Sequence, residues 1–226
     1  LTNLDDPARP EHASGVVELW SAPVDGSADP VRVNRLPVPA GDVTGTYWPN
    51  FDMSADGTLV FSADQDVDET VELFSAPLTG GVEPVRLNPP FPAGGTAGDV
   101  LQSQVSPDGR FAVYVATEER ANVAELYSVS LDDPLPRTKL SQALDVEAGI
   151  ASFRITPDST RVVYRLQVAT NSYFGNGRLF CVPIDGSAAP VLVSGPITTV
   201  FDDYSVDPAS TRVVFRDTPG VYAYNY

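Results

Sequence analysis

Cysteine, lysine and histidine each occur once in the 226 residues, at Cys181, Lys139 and His12. One cysteine excludes an intrachain disulfide and a thiolate metal cluster. His12 sits beside Glu11 in a proline-rich opening segment, and no motif surrounds it. No nucleophile elbow, zinc signature or phosphate-binding glycine loop occurs either. No apolar run is long enough to cross a bilayer, and no basic-then-apolar signal peptide is present. Positive charge is scarce. Fourteen Lys and Arg stand against thirty Asp and Glu, a formal charge of −16. Such a surface repels nucleic acid and anionic membranes, so neither nucleic-acid binding nor membrane insertion is expected.

What is abundant is turn chemistry and apolar residues. Hydrophobic residues make up 42 %, enough for a core, while 21 prolines and 17 glycines are spread along the whole chain. That spread suits many short strands with frequent turns. The chain opens in the middle of a repeat and without methionine, which reads as a mature, truncated or partly observed product.

The turn chemistry is periodic. Ser54-Ala55-Asp56-Gly57, Ser106-Pro107-Asp108-Gly109, Thr156-Pro157-Asp158-Ser159 and Asp207-Pro208-Ala209-Ser210 recur about every fifty residues. Each precedes an apolar run: Leu59-Val60-Phe61, Phe111-Ala112-Val113-Tyr114, Val162-Val163-Tyr164 and Val213-Val214-Phe215. A second cassette keeps the same spacing: Glu18-Leu19-Trp20-Ser21, Glu72-Leu73-Phe74-Ser75, Glu125-Leu126-Tyr127-Ser128 and Arg178-Leu179-Phe180-Cys181. Cys181 therefore occupies a small-residue slot, and an inert, buried thiol is expected there.

Four strands per repeat follow. Strand A alternates into the turn; strand B is a continuous apolar run, as for a strand buried on both faces. Strand C carries the recurring aromatic, at Trp20, Phe74, Tyr127, Phe180 and, in a fifth copy, Tyr222. Strand D closes the unit, and in three of four copies its second residue is basic (Arg32, Arg86, Lys139), which suits a solvent-facing edge guarded against strand addition. Four short antiparallel strands per fifty residues describe one blade of an all-β propeller. No sustained helical period supports a helical repeat, and a β-sandwich does not predict like turns at fixed spacing. The divisions are a partial blade over 1–34, blades at about 47–88, 99–141 and 149–194, and a partial blade over 200–226, seventeen candidate strands in all. The incomplete ends either belong to a larger propeller or complement each other, within a ring or between neighbouring chains.

Ser106-Pro107-Asp108-Gly109-Arg110 with Val113-Tyr114, followed by Glu125-Leu126-Tyr127-Ser128, resembles the TolB-like propellers, also called PD40 or WD40-like repeats. The resemblance covers nearly the whole chain. It implies a six-bladed ring and a secreted, periplasmic or cell-surface prokaryotic protein. The family includes interaction modules and peptidase propeller domains. The Gly-His and Trp-Asp signatures of true WD40 repeats are absent, and the sialidase Asp-box is unmatched.

Ligands of propellers meet the channel mouth, where the loops leading into strand A converge. Candidates there are Tyr47 and Trp48, which suit a sugar or a peptide, and Asp202, Asp203 and Tyr204. The alternative is that these aromatics pack between blades and the carboxylates cap turns. Asp52, Gln104, Arg154 and Ser205 interleave with the buried residues of strand A and are expected to line the channel or bridge inner strands. Asp64, Asp66, Asp68 and Glu69 offer hard oxygen ligands for calcium in one loop, against a solvated acidic loop; the pattern does not recur in the other repeats. A glycosidase would need a second acid across the channel from Asp202-Asp203, because neighbours on a strand point to opposite faces. Three functions remain. The first is a non-catalytic binding or assembly module, with a protein partner or a second copy and no cofactor. The second is a glycan- or peptide-processing hydrolase, and the third a calcium-stabilised adhesion module.

Overall fold

The computed structural model describes residues 17–35, 43, 51–67, 69–91, 98–134, 136–145, 148–168, 177–197 and 199–217. Among these, sixteen strands form five antiparallel sheets and no helix occurs. The first sheet has two strands, β1 (Trp20–Ser21) and β2 (Val31–Arg32). The second is β3 (Phe51–Met53), β4 (Thr58–Ala63), β5 (Glu72–Pro77) and β6 (Val85–Arg86). The third is β7 (Val100–Val105), β8 (Phe111–Ala116), β9 (Glu125–Ser130) and β10 (Thr138–Lys139). The fourth is β11 (Ala148–Ile155), β12 (Arg161–Val168), β13 (Gly177–Pro183) and β14 (Val191–Leu192). The last has β15 (Ser205–Val206) and β16 (Val213–Val214). Strand order follows the chain in every sheet, as hairpin after hairpin demands. Tyr222 lies outside the described residues.

The recurring tetrapeptides are hairpin turns between the first and second strands of a sheet. In each, the N–H of the fourth residue donates to the C=O of the first, at 2.8–3.1 Å. The fourth residue is left-handed every time: Gly57 (φ 88), Gly109 (φ 73), Ser159 (φ 62) and Ser210 (φ 58). Glycine adopts that conformation freely, whereas serine does so at a cost. The aspartate holds the turn from inside. Ser106 and Thr156 hydroxyls donate to Asp108 and Asp158 at 2.6 Å, and Ser54 donates to Asp56.

Across each hairpin the register sets aromatics opposite one another. Phe61 stacks on Phe74, Tyr114 on Tyr127 and Tyr164 on Phe180, with centroids 5.4–5.8 Å apart. Cross-strand aromatic pairs of this kind add to the area they bury. The leucine of the second cassette is clamped twice. Its C=O accepts a backbone N–H from the strand D side, at Val33, Leu87, Leu140 and Val193. Its N–H donates to a side chain fifteen residues on: Leu19 to Asn34, Leu73 to Asn88, Leu126 to Ser141 and Leu179 to Ser194.

The core lies between sheets, in four packed layers. Val33 meets Leu59, Phe61 and Phe74. Val60, Leu73 and Leu87 meet Ala112, Tyr114 and Tyr127. Val113, Leu126 and Leu140 meet Phe153, Val162 and Tyr164. Val163 and Leu179 meet Val200 and Tyr204, with Val213 and Phe215 packed alongside. β4 and β8 are buried from their second residue onward, as their continuous apolar runs imply. Cys181 is half-buried against the last of these layers rather than fully enclosed.

The basic residues of strand D differ from the sequence expectation. They do not stand in solvent as edge guards. Each reaches a glutamate fourteen residues earlier whose side chain is buried: Arg32 to Glu18 at 3.1 Å, Arg86 to Glu72 at 3.2 Å and Lys139 to Glu125 at 2.6 Å. The register places them directly beside strand C, so Coulomb attraction and the aliphatic stem both favour folding back. In the fourth sheet Arg178 and Leu192 hold the two positions.

Candidate functional site

Two bulges shape the approach to the inner strands. The β7–β8 ladder slips between Val100 and Gln102, and the β11–β12 ladder between Ile150 and Ser152. A bulge re-aims the side chains around it. Gln102 Nε2 thereby donates to the Ala151 C=O at 3.0 Å, joining one bulge to the next sheet.

The interleaved polar positions act differently from one another. Asp52 Oδ2 accepts the Val105 N–H at 2.9 Å, and its Oδ1 accepts the Met53 N–H. It thus ties β3 to β7. Arg154 lies over the Tyr204 ring at 5.5 Å and donates to the Phe153 C=O, reaching from β11 to the residue just ahead of β15. Gln104 is half-buried and Ser205 exposed.

Asp202, Asp203 and Tyr204 approach β15 together and then diverge. Asp202 accepts the Ser152 hydroxyl on β11, and Asp203 pairs with Arg216. Tyr204 is buried, its hydroxyl 3.3 Å from Ser152 Oγ and 3.4 Å from the Val163 C=O. Burial pushes the Tyr204 phenol up to about 12, so it stays a neutral donor. Beside it Arg165, buried on β12, donates to the Val200 C=O at 2.7 Å and to Gln167. The two carboxylates therefore face different partners rather than forming a dyad.

The acidic loop is similarly dispersed. Asp64 is buried and its Oδ2 accepts the Glu69 N–H at 3.3 Å, while Asp66 pairs with Arg35 and lies 3.6 Å from Arg86. Glu69 is left-handed (φ 58). Asp68, Tyr47 and Trp48 lie outside the described residues. Among the described residues no group of three or more His, Cys, Asp or Glu is placed to hold a metal ion.

Three features escaped the sequence reading. Ser159 Oγ accepts the Asp108 N–H, and Ser210 Oγ accepts the Asp158 N–H, both at 3.0 Å. The strained serines thus bolt each turn to the turn of the preceding repeat, and the switch from glycine to serine was the available signal. The glutamate–base pair at a spacing of fourteen was the second. The third is a buried, satisfied polar network along the third sheet. There Tyr114 donates to Glu118 at 2.7 Å, Tyr127 to Glu125 at 3.0 Å, and Arg137 pairs with Glu118 while lying over Tyr127. Burial raises Glu118 above the usual carboxylate range, and it raises both phenols further, with the neighbouring glutamates adding to the effect. In the second sheet burial also raises Glu72, against the opposing pull of Arg86. The amide of Gln65, enclosed nearby, has no hydrogen-bond partner among the described residues.

No protein-family model matches the chain, and no curated protein matches it. Solved structures do. A putative dipeptidyl aminopeptidase IV from Bacteroides ovatus aligns at TM-score 0.56 and 13 % identity, over 87 % of this chain and 28 % of that one. The tricorn protease aligns at 0.53 and 17 % identity, over 77 % and 16 %. Oligogalacturonate lyase, solved in complex with manganese, aligns at 0.51 and 17 % identity, over 78 % and 47 %. The fold is that of a β-propeller. At these identities the likeness concerns architecture alone, and the chain spans less than half the length of each of the three. Among the described residues of the propeller, no helix is long and apolar enough to cross a membrane.

Proposed function

We propose that this chain is a non-catalytic propeller module for binding and assembly, in a protein of the secreted, periplasmic or cell-surface kind. One observation carries the reading. The carboxylates that the repeat pattern assigns to the channel and its mouth each have a partner within the chain: Asp202 has Ser152, Asp203 has Arg216 and Asp52 has the Val105 N–H. Bonds of this kind hold a carboxylate in a positioning role, and they are what favours a scaffold over a general acid–base pair. The resemblance of Ser106-Pro107-Asp108-Gly109-Arg110 to TolB-like repeats supports both the module and its compartment. A protein is the partner of choice, because the outermost strands β6 and β14 present Val85 and Val191 at the surface, where an added strand or an apolar side chain can dock.

The test is a turnover screen of the purified chain on chromogenic glycosides and peptides, beside Asp202→Asn and Asp203→Asn. The expected result is no turnover above the blank in any of the three. Turnover that disappears in either variant, with melting unchanged, would replace this reading with the hydrolase.

A further inference from the structure

The outer strand of each sheet ends in an edge of backbone groups that another strand can join. Alternation fixes which groups these are. The Leu87 N–H donates inward to the Leu73 C=O, so the backbone N–H and C=O of Arg86 point outward from β6. Val33 and Leu140 bond inward in the same way, which turns the backbone groups of Arg32 and Lys139 outward on β2 and β10.

Two of these edges are covered by the turn between the third and fourth strands of the next sheet. Gly80 and Gly186 close that turn, both left-handed (φ 63 and 69). A Cβ at Gly80 would stand 2.7 Å from the Arg32 C=O oxygen, and one at Gly186 would stand 2.3 Å from Thr138 Cγ2. Only a residue without a side chain seats that closely. The turn beside β6 has Asp133 in this place, two residues after Leu131 as Gly80 is after Leu78 and Gly186 after Ile184. Leu131 still packs on the layer that holds Leu87, which keeps the turn next to β6. Its closure is different, since the Asp132 and Asp133 N–H groups both donate to Ser130 Oγ at 3.3 Å. The aspartate side chain bars the close seat, and the edge stays open. Val85 is 51 % exposed, and it shares the face of Val60 and Leu87 that is turned to the third sheet. The last guard is missing too, because the Arg86 side chain folds back onto Glu72 and Asp66. Glu83, Asp132 and Asp133 set exposed carboxylates around Val85.

Resting on the binding reading, we infer that a protein partner joins at β6 with an extended segment in which basic residues flank an apolar one. Main-chain bonds to Arg86 align the segment beside β6. Its apolar side chain covers Val85. Lysine or arginine two positions to either side falls on the same face and meets Glu83, Asp132 and Asp133. The segment comes from a different protein. Outside the described residues this sequence holds one Lys or Arg, at Arg9, and two copies of charge −16 repel each other.

Amide NMR of the full chain, titrated with a capped Lys-Thr-Val-Thr-Lys peptide, tests this. Saturable shifts are expected at the Val85 and Arg86 amides, with weaker binding in high salt. Asp133→Gly restores the glycine of the neighbouring turns and with it the cover, so affinity should fall by more than about tenfold. Val85→Ser, and Asp132→Asn together with Asp133→Asn, should weaken binding as well. These side chains are exposed, so melting should stay near wild type. A Glu-Thr-Val-Thr-Glu peptide should not bind. The absence of saturable shifts at Arg86 overturns the proposal. Variants that bind like wild type, or a Lys-Thr-Ser-Thr-Lys peptide that binds equally well, overturn it too. Shifts centred on Leu192 overturn the choice of β6 and leave the binding module standing. Turnover is read separately and bears only on the non-catalytic reading.

Discussion

The layers between consecutive sheets and the faces at the two ends are built from the same repeat positions, yet they differ in almost everything physical. Val113 and Val214 occupy equivalent places, one sealed and one bare. Inside, Leu126 packs with Phe153 and Tyr164 across the layer. At the ends, Phe51 and Met53 meet water. A repeat protein is stabilised by nearest-neighbour interfaces as much as by its units, so an identical residue is worth much or little according to whether a neighbour is present.

The largest expected effect probes this contrast directly. Leu126→Ala should cost about 2–5 kcal/mol, as buried large-to-small changes do. Val214→Ala should stay within about 0.5 kcal/mol in dilute solution. Denaturant unfolding of both variants measures the difference, and equal losses would erase the distinction between sealed and open faces.

A smaller effect tests the bolts between turns. Ser159→Ala removes the acceptor of the Asp108 N–H and keeps the strained backbone, so it should cost about 1 kcal/mol. Ser159→Gly also loses the bond but relieves the left-handed strain, so its loss should be less. If alanine proves the milder of the two, the left-handed backbone at Ser159 is not a source of strain.

The smallest effect is the acid response. Hydrogen bonds from Ser54 hold Asp56 below the ordinary carboxylate range, those from Thr156 do so for Asp158, and the Arg212 N–H does so for Asp207. For Asp108, burial pulls upward but the bonds from Ser106 and Arg110 outweigh it. These groups bind protons less readily when folded. The stability they add is complete above their unfolded pKa and is lost as pH falls through the depressed value. Melting temperature should therefore drop between about pH 4 and pH 2, and less steeply in Asp158→Asn. Glu72 and Glu118 act with opposite sign, since burial raises them and protonation relieves it as pH falls from neutral. Glu72→Gln should accordingly flatten the profile above about pH 4.

Sheet order, turns and buried second strands were readable because each leaves a periodic mark: Asp-Gly or Asp-Ser at the turn, an unbroken apolar run after it. What lay across strands was harder. The partner of Arg86 is Glu72, fourteen residues away, and only the hairpin register brings them together. Alternation along an extended chain predicts that Asp202 and Asp203 part, but not that their partners are Ser152 and Arg216. Val214 reads like its counterparts in sequence, since exposure depends on a neighbouring sheet rather than on the residue itself.

The central claim is that the layers between consecutive sheets, more than the single strands, hold the repeats in place. Hydrogen exchange of the backbone amides tests it most directly. Amides at 58–63 and 111–116, enclosed between sheets, should be among the last to exchange, and those at 51–53 and 213–214 among the first. Exchange as fast at 58–63 and 111–116 as at 51–53 and 213–214 would contradict it.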